Sequence, residues 1–339
     1  MNFNPIVFGA TLANKTIGGH GGAIALPPAM HIPDGFLSPT LSILFWLLAV
    51  LSVGYALRRV NREFDERRVP LMGVLAAVVF AGQMLNFAVT GGTSGHLLGA
   101  AIATILLGPW ASIVVMACVV GIQALLFQDG GLLALGANIF NMAIVASFVA
   151  YTVYQTMQRL AAGRKWATHA AGFLAAWFSI VIASLACALQ LALSGTSPAN
   201  VALPVMGGIH MLIGIGEGLI TLGALSFIAA TRRDLLETGT TKAGVQREVF
   251  LGGLGIAILL AILSPIASSH PDGLEWVAEQ QGFLEKARDP VYRIIPDYIF
   301  PGISDEALAT ILAGVLGTLI VSGVALLTAR LNHRRRAIR

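Results

Sequence analysis

The sequence predicts an all-α polytopic membrane protein, with about seven membrane helices in a first domain and about two in a C-terminal domain. Hydrophobic residues make up 56% of the 339 residues and charged residues only 11%, whereas a soluble domain carries about 25% charged residues. The mean hydropathy is +0.79. Long apolar stretches alternate with short basic ones, which is typical of a chain that crosses a bilayer repeatedly.

The apolar stretches define the membrane elements. Those with roughly the 20 residues that a spanning helix needs are 40–57, 70–89, 134–157, 170–193, 205–231, 249–268 and 306–329. The uncharged stretch 97–127 is too long for one span, and it contains Gly108-Pro109, a pair that interrupts helices. We therefore expect two elements, 97–108 and 109–127. The first is too short to cross the bilayer, so other helices should enclose it.

The basic residues set the topology. Of the 21 Lys and Arg residues, 17 lie in the loops 58–69, 158–169 and 232–248 and in the tail from residue 330. These segments share one side only if 97–127 forms two elements, and the positive-inside rule makes that side cytoplasmic. The C-terminus is then cytoplasmic. Residues before 40, the segments 91–96 and 128–131 and the loop 269–305 are extracytoplasmic. Because the basic residues are dispersed between apolar stretches, we expect the lipid bilayer as partner and no nucleic acid.

Four segments in the first domain carry recognisable motifs: 30–39 (MHIPDGFLSP), 91–99 (GGTSGHLLG), 123–131 (QALLFQDGG) and 210–217 (HMLIGIGE). In this order they resemble the nickel/cobalt-specific S components of energy-coupling-factor transporters, the CbiM/NikM family. Residues 270–275 (HPDGLE) resemble the small N subunit of these importers, which has two helices around an extracytoplasmic loop. The resemblance implies a fusion of a metal-capture domain, 30–231, through a cytoplasmic linker, 232–248, to an N-subunit-like PDGLE domain, 249–339.

The metal site expected from the resemblance depends on a free amino terminus. A terminal amine, the next amide nitrogen and the imidazole of the second residue form fused chelate rings, and such tetragonal nitrogen sites suit Ni(II) or Cu(II). The resemblance implies the amine of Met30, the amide and ring nitrogens of His31 and the ring of His96 as ligands. Residues 1–29 would then be either an extension upstream of the true start or a removed segment. We expect the mature chain to begin at Met30, which intact-mass measurement can check.

Several other polar residues are candidates for supporting roles. Six of them are candidates for a second shell that fixes the ligating histidines. Four lie near the outer end of the second helix: Gln83, Asn86, Thr93 and Ser94. The other two, Asn138 and Asn141, lie at i and i+3 on one face of a later helix. Hydrogen bonds between helices would account for the first four equally well. Asp129 precedes Gly130-Gly131 and is interpreted as a turn residue.

Three residues are weaker candidates for an accessory site. His210 and Glu217 are seven residues apart on one helix face, so they could form a metal or proton site, a packing pair or a contact surface for a partner. His270, Asp272 and Glu275 in the outer loop could pass an ion to the first domain, and the alternative is that they only serve the structure of the loop.

The resemblance implies the substrate-binding membrane component of an ATP-driven importer for Co²⁺ or Ni²⁺ in a bacterial or archaeal cell membrane. Its implied partners are a T-type transmembrane scaffold subunit and two cytoplasmic ABC ATPases. The sequence contains no GxxxxGK[ST] loop, so the chain does not power import itself. An autonomous divalent-cation channel or secondary transporter is the alternative. The absence of HExxH argues against a metalloprotease, and we expect no catalytic residues. Between the two ions, the sequence favours cobalt weakly.

Overall fold

The computed structural model describes residues 31–63, 68–161, 164, 166–236 and 246–337, so Met30 and the segment 1–29 lie outside the described residues. The helices are α1 (Pro39–Glu63), α2 (Val69–Gln83), α3 (Ala100–Leu107), α4 (Pro109–Ile122), α5 (Leu135–Ile139), α6 (Ala146–Leu160), α7 (Ala167–Leu193), α8 (Ala199–Thr231), α9 (Gln246–Leu263), α10 (Gly273–Gln280) and α11 (Glu306–Ala337). A hairpin of β1 (Phe87–Val89) and β2 (Thr93–Gly95) follows α2.

Shorter elements complete the backbone. A π-helical turn, Gln123–Phe127, extends α4, and a second, Phe140–Val145, joins α5 to α6 into one continuous helix. Short 3₁₀ turns lie at Arg233–Leu235, Ser264–Ile266, Leu284–Lys286 and Pro296–Tyr298. π-turns are rare and frequently flank functional sites, and these two bracket the segment that carries Asp129 and Asn138.

The predicted all-α membrane fold is confirmed. In the part of the chain that the structure describes, seven helices are long and apolar enough to cross a membrane: Pro39–Arg62, Pro109–Phe127, Leu135–Leu160, Ala167–Leu193, Ala199–Thr231, Arg247–Ile266 and Glu306–Leu331. Large apolar side chains such as Leu47 and Leu51 on α1 are 58% and 70% exposed, as expected for a lipid-facing surface. The chain is a multi-pass membrane protein.

The predicted break at Gly108 is also confirmed. Gly108 has a φ of 83° and its amide donates to the Thr104 carbonyl, ending α3. Pro109 then begins α4, because a first-turn proline sacrifices no helical hydrogen bond. α3 is eight residues long and all but one of them are buried, as expected of an element too short to span. It begins at Ala100 rather than at 97, since Gly99 adopts a left-handed conformation with φ 82°.

The predicted second element, 70–89, was too long at its C-terminal end. α2 ends at Gln83, and residues 87–89 pair instead with 93–95 in the antiparallel hairpin. Gly91 and Gly92, at the turn, both have positive φ, the backbone that a tight β-hairpin requires. This stretch is apolar enough for a membrane helix, but the turn glycines divert the chain into the hairpin after α2.

The C-terminal helices pack closely on α2. A Cβ on Gly253 of α9 would lie 2.2 Å from the Val74 side chain, and one on Gly317 of α11 would lie 2.3 Å from Phe80. Small residues at such points let membrane helices approach each other closely. The two predicted domains therefore share one helix bundle.

Candidate metal centre

His31 and His96 lie side by side at one end of the bundle. Their ring centroids are 6.2 Å apart and their planes are tilted by 46°. With metal–nitrogen bonds of about 2 Å, two imidazoles that share an ion have centroids within about 6 Å of each other. The observed separation of 6.2 Å lies near that limit. Both histidines line a common pocket.

Asn138 fixes the chain beside His31. Its side-chain amide accepts from the Ile32 amide at 3.0 Å and donates to the Ile32 carbonyl at 3.1 Å. The Gly131 amide donates to the same carbonyl at 2.9 Å. This pairing resembles the pairing of two strands, and it places His31 with 2% of its surface exposed.

Asp129 holds the His31 ring. Its carboxylate accepts from His31 Nδ1 at 2.7 Å through one oxygen and from the Tyr298 hydroxyl at 2.6 Å through the other. Burial alone would raise the pKa of the Asp129 carboxyl, but the His31 ring and the hydrogen bonds from His31 and Tyr298 hold that pKa below its ordinary value. Our interpretation of Asp129 as only a turn residue was therefore wrong.

The orientation of the His31 ring determines which nitrogen faces the pocket. With Nδ1 on Asp129, Nε2 is buried and has no hydrogen-bond partner among the described residues. A ligating histidine commonly donates its other nitrogen to a carboxylate in this way. The fused chelate expected from the sequence uses Nδ1, the ring nitrogen nearer to the amide of the same residue. Such a chelate requires the His31 ring to move relative to Asp129.

Glu217 anchors the loop that carries His96. Its fully buried carboxyl group accepts from the Leu98 amide at 2.7 Å and from the Gly99 amide at 3.0 Å. These amides immediately follow His96 and precede α3. His96 itself is partly buried, and its Nδ1 lies 3.0 Å from the Leu97 carbonyl.

His210 and Glu217 have different partners, although the sequence suggested a pair. His210 Nδ1 bonds the Met206 carbonyl of its own helix at 2.8 Å, and the ring lines the pocket with His31 and His96. Gly273 packs directly against the His210 ring, where an added Cβ would lie 2.8 Å from a ring carbon.

The PDGLE segment closes one wall of the pocket. The Ser94 amide donates to the Pro271 carbonyl at 2.8 Å, and the Ser94 hydroxyl donates to the His270 carbonyl at 2.8 Å. Asp272 is 4% exposed and lines the pocket with Gly273. Its carboxyl caps α10 by accepting from the Glu275 amide. Burial, more than any other cause, raises the pKa of Asp272 to about 6.

The other supporting candidates contact backbone or amide partners. Gln83 donates to the Leu98 carbonyl at 2.8 Å, so it helps Glu217 to fix the His96 loop. Asn141 exchanges two hydrogen bonds with Gln190 of α7. Asn86 takes part through its main chain, where its backbone carbonyl accepts from the Ser268 backbone amide.

Thr93 and His270 belong to the seam between the two domains. The Thr93 hydroxyl donates to the Pro271 carbonyl at 3.1 Å, and the His270 side chain is exposed. Within the described ranges, no group of three or more His, Cys, Asp or Glu side chains has the geometry to hold a metal ion.

Comparison with known proteins identifies the chain's family. A family model described as the cobalt uptake substrate-specific transmembrane region, CbiM, matches residues 31–235. The chain belongs to the CbiM family. A second model, the PDGLE domain, matches residues 247–334. The predicted combination of a CbiM-type domain with a PDGLE domain is thus confirmed.

Several members of the CbiM family are similar over most of the chain. The putative fused nickel transport protein NikMN of Archaeoglobus fulgidus is 39% identical over 86% of this chain and 95% of its own length. The fused nickel transport protein NikMN of Rhodobacter capsulatus is 30% identical over 91% of this chain and 100% of its own length. The cobalt transport protein CbiM of Geobacter sulfurreducens is 34% identical over 76% of this chain and 77% of its own length.

A solved structure supports the CbiM fold. The crystal structure of a truncated transition metal transporter shares 36% sequence identity with the chain and superposes on it with a TM-score of 0.53. The match covers 59% of this chain and 98% of the solved chain.

Proposed function

We propose that the chain is the substrate-binding membrane component of an ATP-driven importer of the energy-coupling-factor type, with the cobalt or nickel ion as its substrate. The chain binds and releases the ion and catalyses no reaction. The observation that carries this assignment is the approach of the His31 and His96 rings to 6.2 Å in a CbiM-family chain. Imidazoles are good ligands for nickel and its first-row neighbours.

The proposed ligands are the amine of Met30, the amide nitrogen of His31 and the rings of His31 and His96. Met30 lies outside the described residues, and its role follows from its position directly before His31. Asp129 lies one hydrogen bond from the His31 ring. Its negative charge therefore offsets part of the charge of a bound dication in this buried, low-dielectric place.

The site faces the extracytoplasmic side in the topology predicted from the basic loops. Hydrogen bonds connect the chain segments at this end of the bundle. The Arg288 amide donates to the Asp34 carbonyl and the Ser268 amide to the Asn86 carbonyl, while Thr196 bonds Phe36. The basic loops and the C-terminus lie in the cytoplasm, where two ABC ATPases supply the energy. The third partner is a T-type transmembrane scaffold subunit.

Cobalt and nickel remain the two substrates to compare. The fused relatives are named for nickel, and the relative from Geobacter sulfurreducens is named for cobalt. Nitrogen ligands bind Ni²⁺ more tightly than Co²⁺ in the Irving–Williams order. Binding alone therefore favours nickel, and uptake measured with both ions decides which one is carried.

Metal uptake by cells tests the function. Cells that lack other importers would express this chain alone, or together with the scaffold subunit and the ATPases, and would be given radioactive Ni²⁺ or Co²⁺. We expect accumulation only with the complete set, and none when the ATPases carry an inactivated nucleotide-binding loop. Rapid, ATP-independent uptake by the chain alone would instead support an autonomous channel or secondary transporter.

Gly130→Ala should weaken Ni²⁺ binding. Gly130 has φ +89°, and an added Cβ would lie 2.7 Å from the His31 Cβ and 3.0 Å from the Asn138 amide nitrogen. The methyl group therefore displaces His31, and we expect a loss of affinity of about tenfold, similar to the loss of a second-shell partner. Chelator competition with the purified full chain measures the affinity.

Gly195→Ala is the matched control for this substitution. Gly195 also has a positive φ, +70°, but no atom lies within 4 Å of its added Cβ. The control carries the backbone strain of a left-handed alanine without the clash at His31. Equal affinities for the two variants would show that the Gly130 contact does not position His31.

A further inference from the structure

The His96 imidazole is oriented by the peptide that joins Leu97 to Leu98. His96 Nδ1 lies 3.0 Å from the Leu97 carbonyl. Because a carbonyl only accepts hydrogen bonds, Nδ1 carries the hydrogen and Nε2 keeps the lone pair that can bind an ion. Ligating histidines commonly donate their other nitrogen to a backbone carbonyl in this way. The orientation of the 97–98 peptide therefore determines where His96 Nε2 points.

Two helices hold this peptide and the next one. The Leu98 amide belongs to the same peptide as the Leu97 carbonyl, and it donates to Glu217 at 2.7 Å. In the following peptide, the Gly99 amide donates to Glu217 at 3.0 Å. The carbonyl of that peptide, from Leu98, accepts from Gln83 Nε2 at 2.8 Å. Glu217 on α8 and Gln83 on α2 thus hold the chain after His96 from two sides.

Gln123 holds the Gln83 side chain in turn. Gln123 is the first residue of the π-helical turn that extends α4, and its Nε2 donates to Gln83 Oε1 at 2.8 Å. Both side chains are fully buried. Gln83 has one acceptor end and one donor end. With its oxygen bound to Gln123, its NH₂ group is directed at the Leu98 carbonyl, so Gln123 fixes the direction of the hydrogen bond that Gln83 makes.

Stability alone does not account for this pair of glutamines. Gln123 Oε1 is buried and has no hydrogen-bond partner among the residues that the structure describes, and an unpaired buried acceptor is destabilising. Replacing both members of a buried polar pair by apolar residues of similar shape can be nearly neutral. What an apolar pair cannot supply is a donor to the Leu98 carbonyl.

We propose that Gln123 is a positioning residue for His96, and that it acts through Gln83 to hold the two peptides that orient the His96 ring. This inference rests on the proposed function, because His96 must bind the ion. Neither glutamine lines the pocket that His31 and His96 share. The relay acts on the His96 side of the site and involves no nitrogen of His31.

Gln83→Met and Gln123→Met test the relay, because methionine keeps the length of the side chain and removes its hydrogen bonds. Gln83→Met should lower Ni²⁺ affinity by about tenfold, as is typical of a lost supporting partner. Gln123→Met acts one bond further away, so we expect a loss of about threefold to fivefold, below that range. Both should shift the absorption bands of bound Ni²⁺, which report the arrangement of its ligands.

The measurements use the purified full chain and include chelator competition, the nickel absorption spectrum and the unfolding temperature. Gln158→Met is the matched control. Gln158, near the C-terminal end of α6, donates from Nε2 to the Tyr154 hydroxyl at 2.9 Å and to the Thr168 hydroxyl at 3.1 Å. It should lower the unfolding temperature and leave affinity and spectrum unchanged. The proposal fails if Gln123→Met binds Ni²⁺ as the unsubstituted chain does, or if Gln158→Met weakens binding equally.

The double variant tests whether Gln123 acts through Gln83. Gln123 also contacts the Tyr298 hydroxyl, which offers a second route to the site. If the relay is correct, the double variant loses no more affinity than Gln83→Met alone, since residues that act through one another are not additive. Additive losses would show that Gln123 acts by another route and would overturn the relay. Absence of Ni²⁺ binding by the unsubstituted chain would instead refute the proposed function.

Discussion

His96→Ala should abolish high-affinity binding of Ni²⁺ and Co²⁺ by the purified chain. His96 is the ring that faces His31 across the pocket, with 6.2 Å between the two centroids. Loss of a supporting partner lowers metal affinity by about 10- to 100-fold. Loss of a ligand should lower it further, so we expect a decrease in affinity of more than about a hundredfold. Chelator competition measures the affinity, and uptake through the complete importer should fall to the level of cells without the chain.

Two other histidines serve as controls for His96. His169 lies near the start of α7, at the end of the bundle predicted to be cytoplasmic, and His169→Ala should leave Ni²⁺ affinity unchanged. His210 lines the same pocket, but its Nδ1 bonds the Met206 carbonyl, and we expect a smaller loss for His210→Ala than for His96→Ala. High affinity retained in His96→Ala, or a larger loss in His210→Ala, would show that the ligand set is wrong.

The parts of the fold that could be predicted are those that hydropathy, glycine and proline determine. The membrane elements follow from long apolar stretches, and the break between α3 and α4 follows from Gly108-Pro109 together with the distribution of basic residues. The hairpin after α2 could not be read from hydropathy, because residues 84–89 are nearly as apolar as the helix. Its cause is the pair of turn glycines, Gly91 and Gly92.

The candidate site was only partly predictable. His31 and His96 are marked by local motifs, but the residues that hold them are marked by nothing nearby. Asp129 is 98 residues from His31, and Tyr298 is 169 residues from Asp129. Neither contact has a fixed spacing, because tertiary packing alone brings the three side chains together. Their only sequence signal was an aspartate and an aromatic residue in segments predicted to share the outer side.

Glu217→Gln should destabilise the chain and weaken metal binding together. The two oxygens of Glu217 accept from the Leu98 and Gly99 amides, which are donors at the N-terminal end of α3 that the helix itself cannot satisfy. A glutamine offers only one oxygen as an acceptor. Its NH₂ group is a donor and faces the second backbone amide, which therefore loses its acceptor. Hydrogen bonds to charged groups contribute about 1.5–3 kcal/mol each, so we expect a loss of about 2–4 kcal/mol in the free energy of unfolding.

The same substitution should lower Ni²⁺ affinity by about tenfold, because the released amides follow His96 directly. Thr221→Val is the matched control. Thr221 lies one turn after Glu217 on α8, is 1% exposed, and its hydroxyl has no hydrogen-bond partner among the described residues, so valine should not lower stability. Thermal unfolding in detergent and chelator competition measure both effects. If Glu217→Gln has the same unfolding temperature and the same Ni²⁺ affinity as Thr221→Val, Glu217 does not hold the His96 loop. The buried carboxyl group would then need another function.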